Sequence, residues 1–215
     1  MKSLLDKKWI KKYLKIAKTL ADDNDACYSR KIGVVLVSSN NRIMSLGYNG
    51  SIEGAPHNDS AEYLAHLWDN LLTEEQRKFL QEKFPEKFAQ NVEIIPCASS
   101  KEAMKFASCF NGCKQCPRKI LNIPSGQNLE LCTCAHAERN CLASASKLGV
   151  STENSTMYCW CSCPCHECTI QIIQSGVKNV VCLKGDVDYS RSSRYLFKFA
   201  NVELIEVNES IINEI

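Results

Sequence analysis

Two short stretches concentrate residues able to hold a metal ion and move protons. One is Cys134-Ala135-His136-Ala137-Glu138, the other Cys163-Pro164-Cys165-His166-Glu167-Cys168. Zinc favours a tetrahedral set of thiolates and imidazoles. A Cys-x-x-Cys at the start of a helix aims two sulfurs at one point, and the positive helix end favours their thiolate forms. His136, at the start of another helix, can supply a third ligand. Three protein ligands leave the fourth position to water, the mark of a catalytic zinc. The metal then lowers the pKa of that water toward neutrality. The plainer alternative is a structural metal cluster with an unrelated histidine and a surface glutamate.

These residues need elements to carry them. The spacing predicts a helix from about Ala135 to Lys147, ended by Gly149, and a second opened by Pro164 and running to about Ser175, with Gly176 beyond it. A strand is expected at Thr156–Cys161, a short apolar one at Asn179–Leu183, a helix at Ser193–Ala200 and an alternating strand at Val202–Val207. Strands alternating with helices imply parallel crossovers. Upstream, Ile32–Ser39 and Arg42–Tyr48 read as a hairpin turned at Asn40-Asn41. Residues 5–20 read as an amphipathic helix, with Trp9, Tyr13, Ile16, Ala17 and Leu20 on one stripe. Residues 58–108 read as mostly helical. Thr73 and Gln76 frame a capping box there, and Pro85 should stop the helix near Phe84.

The chain has 215 residues, 45% of them hydrophobic, and a net charge of +2 from 26 basic and 24 acidic residues. That balance argues against wholesale binding of nucleic acid or membrane by charge. The lysine-studded stretch Met1–Lys18 offers no apolar segment of signal or spanning length. A reducing, cytoplasmic setting is therefore expected, where the 14 cysteines read as metal ligands or chemistry before disulfides.

H-x-E followed by P-C-x-x-C is the signature of the zinc deaminases. The chain resembles the cytidine and deoxycytidylate deaminase superfamily, and most of all its deoxycytidylate (dCMP) deaminases. The likeness spans residues 9–57 and 116–207. It includes Cys27-Tyr28-Ser29-Arg30-Lys31-Ile32-Gly33, Gly47-Tyr48-Asn49-Gly50, Cys134 to Asn140 and Ile172 to Lys178. The resemblance implies an α/β class, a three-layer α/β/α fold with a mixed, about five-stranded sheet. The length fits one domain over 1–215, and the helical segment at about 58–108, outside the likeness, reads as an insertion. The resemblance implies His136, Cys165 and Cys168 as zinc ligands and Glu138 as the proton carrier. Periodicity alone does not place Glu138, because residues two apart on a regular helix point about 200° apart.

The implied reaction is hydrolytic deamination of a cytosine deoxynucleotide, dCMP first and dCTP as its rival. Such enzymes include oligomers regulated by dCTP and dTTP, and a triphosphate effector would bring Mg2+. The same resemblance assigns Asn49, with Tyr48, Gly50 and Arg30, to nucleotide contacts, although Asn-Gly is also a common turn dipeptide. Lys31, Arg191 and Arg194 are further candidates for phosphate. Two other readings differ in class. One is a deaminase of a base in nucleic acid, such as tRNA adenosine, which the near-neutral charge opposes. The other is a non-catalytic, zinc-stabilised binding module, which the intact ligand and glutamate set opposes.

Cys109, Cys113 and Cys116, with Cys132 and Cys134 downstream, have the spacing of another zinc site. Some members of the resembled family carry a second, structural zinc, and Cys27 matches one of its ligands. His57 and Asn58 stand where a further cysteine is expected. The alternative is free buried thiols, since cysteine packs as a small apolar residue. Cys159, Cys161 and Cys163 are expected to share one face of an extended segment and line the core.

Overall fold

The computed structural model describes residues 5–90, 97–124, 126–186 and 188–213. Met1–Leu4, the start of the stretch read for an export signal, lie outside them. Among the described residues no helix is long and apolar enough to cross a membrane. The chain divides into two compact units, one of residues 1–25, 30–50 and 135–215, the other of residues 26–29 and 51–134.

In the first unit α1 (Lys7–Asp22) precedes the hairpin strands β1 (Gly33–Val37) and β2 (Ile43–Tyr48). After the second unit's segment come α7 (Ala137–Lys147), β3 (Thr156–Cys159), α8 (His166–Gln174), β4 (Asn179–Leu183), α9 (Arg191–Phe199) and β5 (Glu203–Val207). The sheet order is β2-β1-β3-β4-β5. β1 runs antiparallel to both neighbours, while β3, β4 and β5 are parallel. The five-stranded sheet is thus mixed. A bulge in the hairpin lies between Leu36 and Val37, and Asn41 takes the left-handed conformation its turn requires.

Period-two alternation sends the central strands' side chains to opposite faces. Val34, Leu36, Met157, Cys159, Val180 and Cys182 pack with α7, α8 and α9 on one face. Val35, Val37, Tyr158 and Val181 pack with α1 and the C-terminal turn on the other. α1 buries Ile10, Tyr13, Leu14, Ala17 and Ala21 and leaves its lysines outward. Burial on this scale contributes about 25 cal/mol per Å2 of apolar surface. Two glycines let helices come flush with the sheet. A Cβ on Gly33 would lie 2.0 Å from the Ala17 carbonyl oxygen of α1, and one on Gly47 would lie 2.3 Å from the Ala137 carbonyl oxygen of α7.

The second unit carries α2 (Ala61–His66), a wider π turn (Leu67–Leu71), α3 (Glu74–Lys83), α4 (Pro85–Phe88), α5 (Lys101–Phe110) and α6 (Pro117–Ile120). It has its own core, centred on Leu64, Trp68, Leu80, Phe106, Phe110 and Leu131. The Thr73–Gln76 capping box forms in both directions, and Pro85 ends α3 and opens α4. The helical segment therefore reaches beyond residue 108.

Three of the boundaries that differ from the sequence expectation lie at the ligand motifs. α7 starts at Ala137, and α8 starts at His166 with Cys165 as its N-cap, so each ligand motif is half outside its helix. β3 ends at Cys159, so Cys161 and Cys163 lie in bends and do not continue the strand. Trp160 is buried, as expected of a core residue.

Gly47→Ala must push Ala137 and the backbone of Cys141, 2.6 Å from the added carbon, off the sheet. We expect a loss of about 1–3 kcal/mol, read as a lower urea midpoint. An unchanged midpoint would contradict the packing described.

Candidate metal centre and active site

His136 is the N-cap of α7 with extended dihedrals (φ −70°, ψ 152°). It therefore lies off the helical spiral, and the 200° separation of a regular helix does not apply to His136 and Glu138. Cys165 is likewise an extended N-cap, and Cys168 sits in the first turn of α8. His136 Nδ1 lies 3.4 Å from Cys165 Sγ and 3.3 Å from Cys168 Sγ. All three donor atoms fall within 4.8 Å of one another. Ligands about 2.0–2.3 Å from one tetrahedral ion stand at such separations.

The cluster is electrostatically coupled. Hydrogen bonds from Cys168 and His136 hold the Cys165 thiol down to about 4. Cys168 is pushed well up because it is the donor to that thiolate, and burial adds to the effect. The Cys165 sulfur raises His136 in turn. Without a metal the three donors therefore shift one another in opposite directions, Cys165 down and His136 and Cys168 up. Glu138 is 3% exposed, and its Oε2 has no hydrogen-bond partner. Burial raises its carboxyl pKa. It faces His136, Cys165 and Cys168. A buried, unpartnered carboxyl oxygen beside three metal donors is expensive unless a ligand or water meets it.

The structure places the remaining first-unit candidates as follows. Tyr48 is 49% exposed at the end of β2, and its carbonyl accepts from Asn140 Nδ2 at 2.8 Å. Gly50 is buried. Asn49 points inward: its Oδ1 accepts from Ile32 N at 2.8 Å and its Nδ2 donates to Arg30 O at 2.5 Å. The Arg30 side chain lies within electrostatic reach of Cys161 and of Tyr189, which also faces Cys165, Cys168 and Glu138. His166 and Glu167 are exposed, and Glu167 Oε2 stands 3.8 Å from Arg139 Nη2. Of the other phosphate candidates, Arg191 pairs with Asp188, Arg194 with Glu206, and Lys31 Nζ donates to Asp22 O. Tyr189 and Asn24 are parts of this neighbourhood that sequence reasoning missed. Neither sits in a motif, so no local signal marked them.

In the second unit the extra cysteines separate into two groups. Cys134 contacts Cys27 and Cys132, and Cys132 contacts Cys116. The four sulfurs form a chain of contacts, more open than the His136 trio. Asn58 Nδ2 donates to Cys134 Sγ at 2.8 Å and lies 3.9 Å from Cys132 Sγ. Tyr63 is buried, faces Cys132, Cys116 and Cys134, and its hydroxyl has no partner. Cys109 and Cys113 are not brought in. Cys109 Sγ donates to Lys87 O, and both pack against the helical core. His57, at the position expected to hold a cysteine, instead bridges Asp59 Oδ1 at 2.6 Å and Ala26 O at 2.9 Å.

The model of the cytidine and deoxycytidylate deaminase zinc-binding region matches residues 7–184. The chain belongs to this family. Among named proteins it is similar to the deoxycytidylate deaminase of Saccharomyces cerevisiae, with 29% identity over 194 residues, 90% of this chain and 41% of that one. It is also similar to the deoxycytidylate deaminase of Enterobacteria phage T2, with 32% identity over 162 residues, 75% of this chain and 73% of that one. The chain thus spans about two fifths of the length of the yeast relative. Its fold is similar to the apo dCMP deaminase of cyanophage S-TIM5, with a TM-score of 0.52 and 17% identity over 96% of this chain and all of that one. This likeness bears out the α/β class and the mixed sheet.

His136 and Cys168 hold their protons more tightly than free side chains. Zinc must displace those protons, so its affinity should weaken as pH falls. From about pH 8 to about pH 6 we expect a loss of at least roughly tenfold, measured by competition of the metal-free protein with a chromophoric chelator. A flat profile would contradict the assigned donors.

Proposed function

We propose that the chain hydrolyses the 4-amino group of dCMP, giving dUMP and ammonia, with zinc held by His136, Cys165 and Cys168. One observation carries the reading: the buried Glu138 carboxyl, with an orphaned oxygen, abuts three donors of zinc-binding type. The donor set fits zinc, since two sulfurs and one imidazole leave a coordination position for solvent. When bound, zinc supplies Lewis acidity that makes water nucleophilic near neutral pH.

The chain's own residues do the rest. Glu138 as carboxylate takes a proton from the attacking water as its oxygen bonds to C4, and gives that proton to ring N3. Burial raises its basicity and suits it to both acts. As the C4–N4 bond breaks, Glu138 carries the remaining proton of the former water to the departing amine, which leaves as ammonia. Arg30, close to Tyr189, is the proposed phosphate anchor, and the Gly47–Gly50 segment the proposed nucleotide loop.

We propose further that Cys27, Cys116, Cys132 and Cys134 hold a second, structural zinc. The Asn58 amide already donates to sulfur, and the orphaned Tyr63 hydroxyl gains an acceptor when these thiols ionise on metal binding. By resemblance the reading also includes a single functional domain, a homo-oligomer, cytoplasmic placement, and regulation by dTTP and by dCTP with Mg2+.

Glu138→Gln should reduce ammonia release from dCMP by roughly a thousandfold or more while zinc content stays at the wild-type level. Wild-type turnover in that variant, or a preference for dCTP over dCMP, would overturn the respective claim. Metal analysis should find about two zinc ions per chain, falling to about one in Cys132→Ser. One zinc in the unaltered chain would remove the second site.

A further inference from the structure

Asn24 lies just past the end of α1, is 5% exposed, and bonds through its side-chain amide to Asn49. Its Nδ2 spends one proton on the Asn49 main-chain carbonyl at 2.7 Å and the other on Asn49 Oδ1 at 2.9 Å. A single carboxamide thus grips both the backbone and the side chain of Asn49. The polarity of the pair is fixed without freedom to flip. Asn49 must present oxygen to Ile32 N–H and nitrogen to the Arg30 carbonyl, and Asn24 must present nitrogen to two oxygens.

Asn24 is a firm reference point. Its own N–H bonds to Ala21 O at 3.2 Å, and α1 is pressed against β1 where Gly33 meets Ala17 and Ala21. From the other side Asn140, two residues after Glu138, holds the Tyr48 carbonyl at 2.8 Å. The Tyr48-Asn49 segment is therefore clamped between α1 and the helix that carries His136 and Glu138. Asn49 in turn holds the backbone on both sides of Lys31, which sets where Arg30 emerges.

We infer that Asn24 is a positioning residue: through Asn49 it fixes the backbone that presents Arg30 to the phosphate end of the substrate. This rests on the dCMP reading above and adds to it a residue outside the motifs that carry the resemblance. Asn24→Ala takes its donor from the buried Asn49 carbonyl and one of two donors from Asn49 Oδ1, and so frees Asn49 to shift. Small displacements of a binding group are costly when it must meet a phosphate in one geometry.

The test compares dCMP with deoxycytidine, which lacks the phosphate. In Asn24→Ala the KM for dCMP should rise about tenfold, with zinc content at the wild-type level and a markedly smaller loss on deoxycytidine. Combining it with Arg30→Ala should make dCMP turnover no worse than Arg30→Ala alone. An unchanged KM for dCMP, an equal loss on both substrates, or full additivity with Arg30→Ala would overturn the assignment. Asn24→Ser serves the same comparison if the alanine variant does not fold. If the wild-type protein fails to act on dCMP, it is the functional reading that has failed. Hydrogen exchange at the Ile32 amide then decides the positioning: faster exchange in the variant supports it and an unchanged rate overturns it.

Discussion

Everything at the active site depends on two helix N-termini in the first unit ending on one point. His136 and Cys165 are both N-caps, both extended, and both deliver a donor from just outside a helix. Cys168 joins from the first turn of α8. An N-cap side chain is free of the helical spiral but anchored by it, and the local field favours negative sulfur. This lets donors separated by 29 and 32 positions in the chain meet within hydrogen-bonding distance. The parallel arrangement of β3 and β4, with α8 crossing between them, fixes one helix, and the flush contact of α7 on Gly47 fixes the other.

The same geometry explains why a carboxyl group is tolerated in the core. Glu138 is buried beside a thiolate, a placement that burial alone penalises. Bound zinc reverses that local balance, since a dication is the largest charge in such a site. A group that is uncomfortable in the metal-free protein is thus poised to exchange protons in the loaded one. The second unit poses a related problem with a different answer. The proposed second zinc would turn the Cys27, Cys116, Cys132 and Cys134 thiols, beside an amide donor and an orphaned phenol, into a thiolate cluster, while Cys109 and Cys113 are ordinary partners of a helical core.

Local patterns carried a good part of this into the sequence. The apolar run Asn179–Leu183 is a strand with those very limits, the Thr73 capping box forms, and Pro85 divides two helices. The metal motifs are legible because their spacing is local to two helix starts. What is not legible depends on long-range meeting. Spacing joins Cys109, Cys113 and Cys116, yet only Cys116 reaches Cys132. Asn49 reads as a nucleotide contact or a turn residue, and its bond to an amide 25 positions upstream has no local signal. The end of β3 at Cys159 was likewise hidden, because the alternation of cysteines continues while the chain bends toward α8.

The most direct measurement is anomalous diffraction at the zinc edge from crystals of the protein as purified. The account predicts a peak shared by His136 Nδ1, Cys165 Sγ and Cys168 Sγ, with solvent completing the coordination within reach of Glu138. A peak whose fourth partner is a protein atom, or no peak among these three side chains, would contradict it.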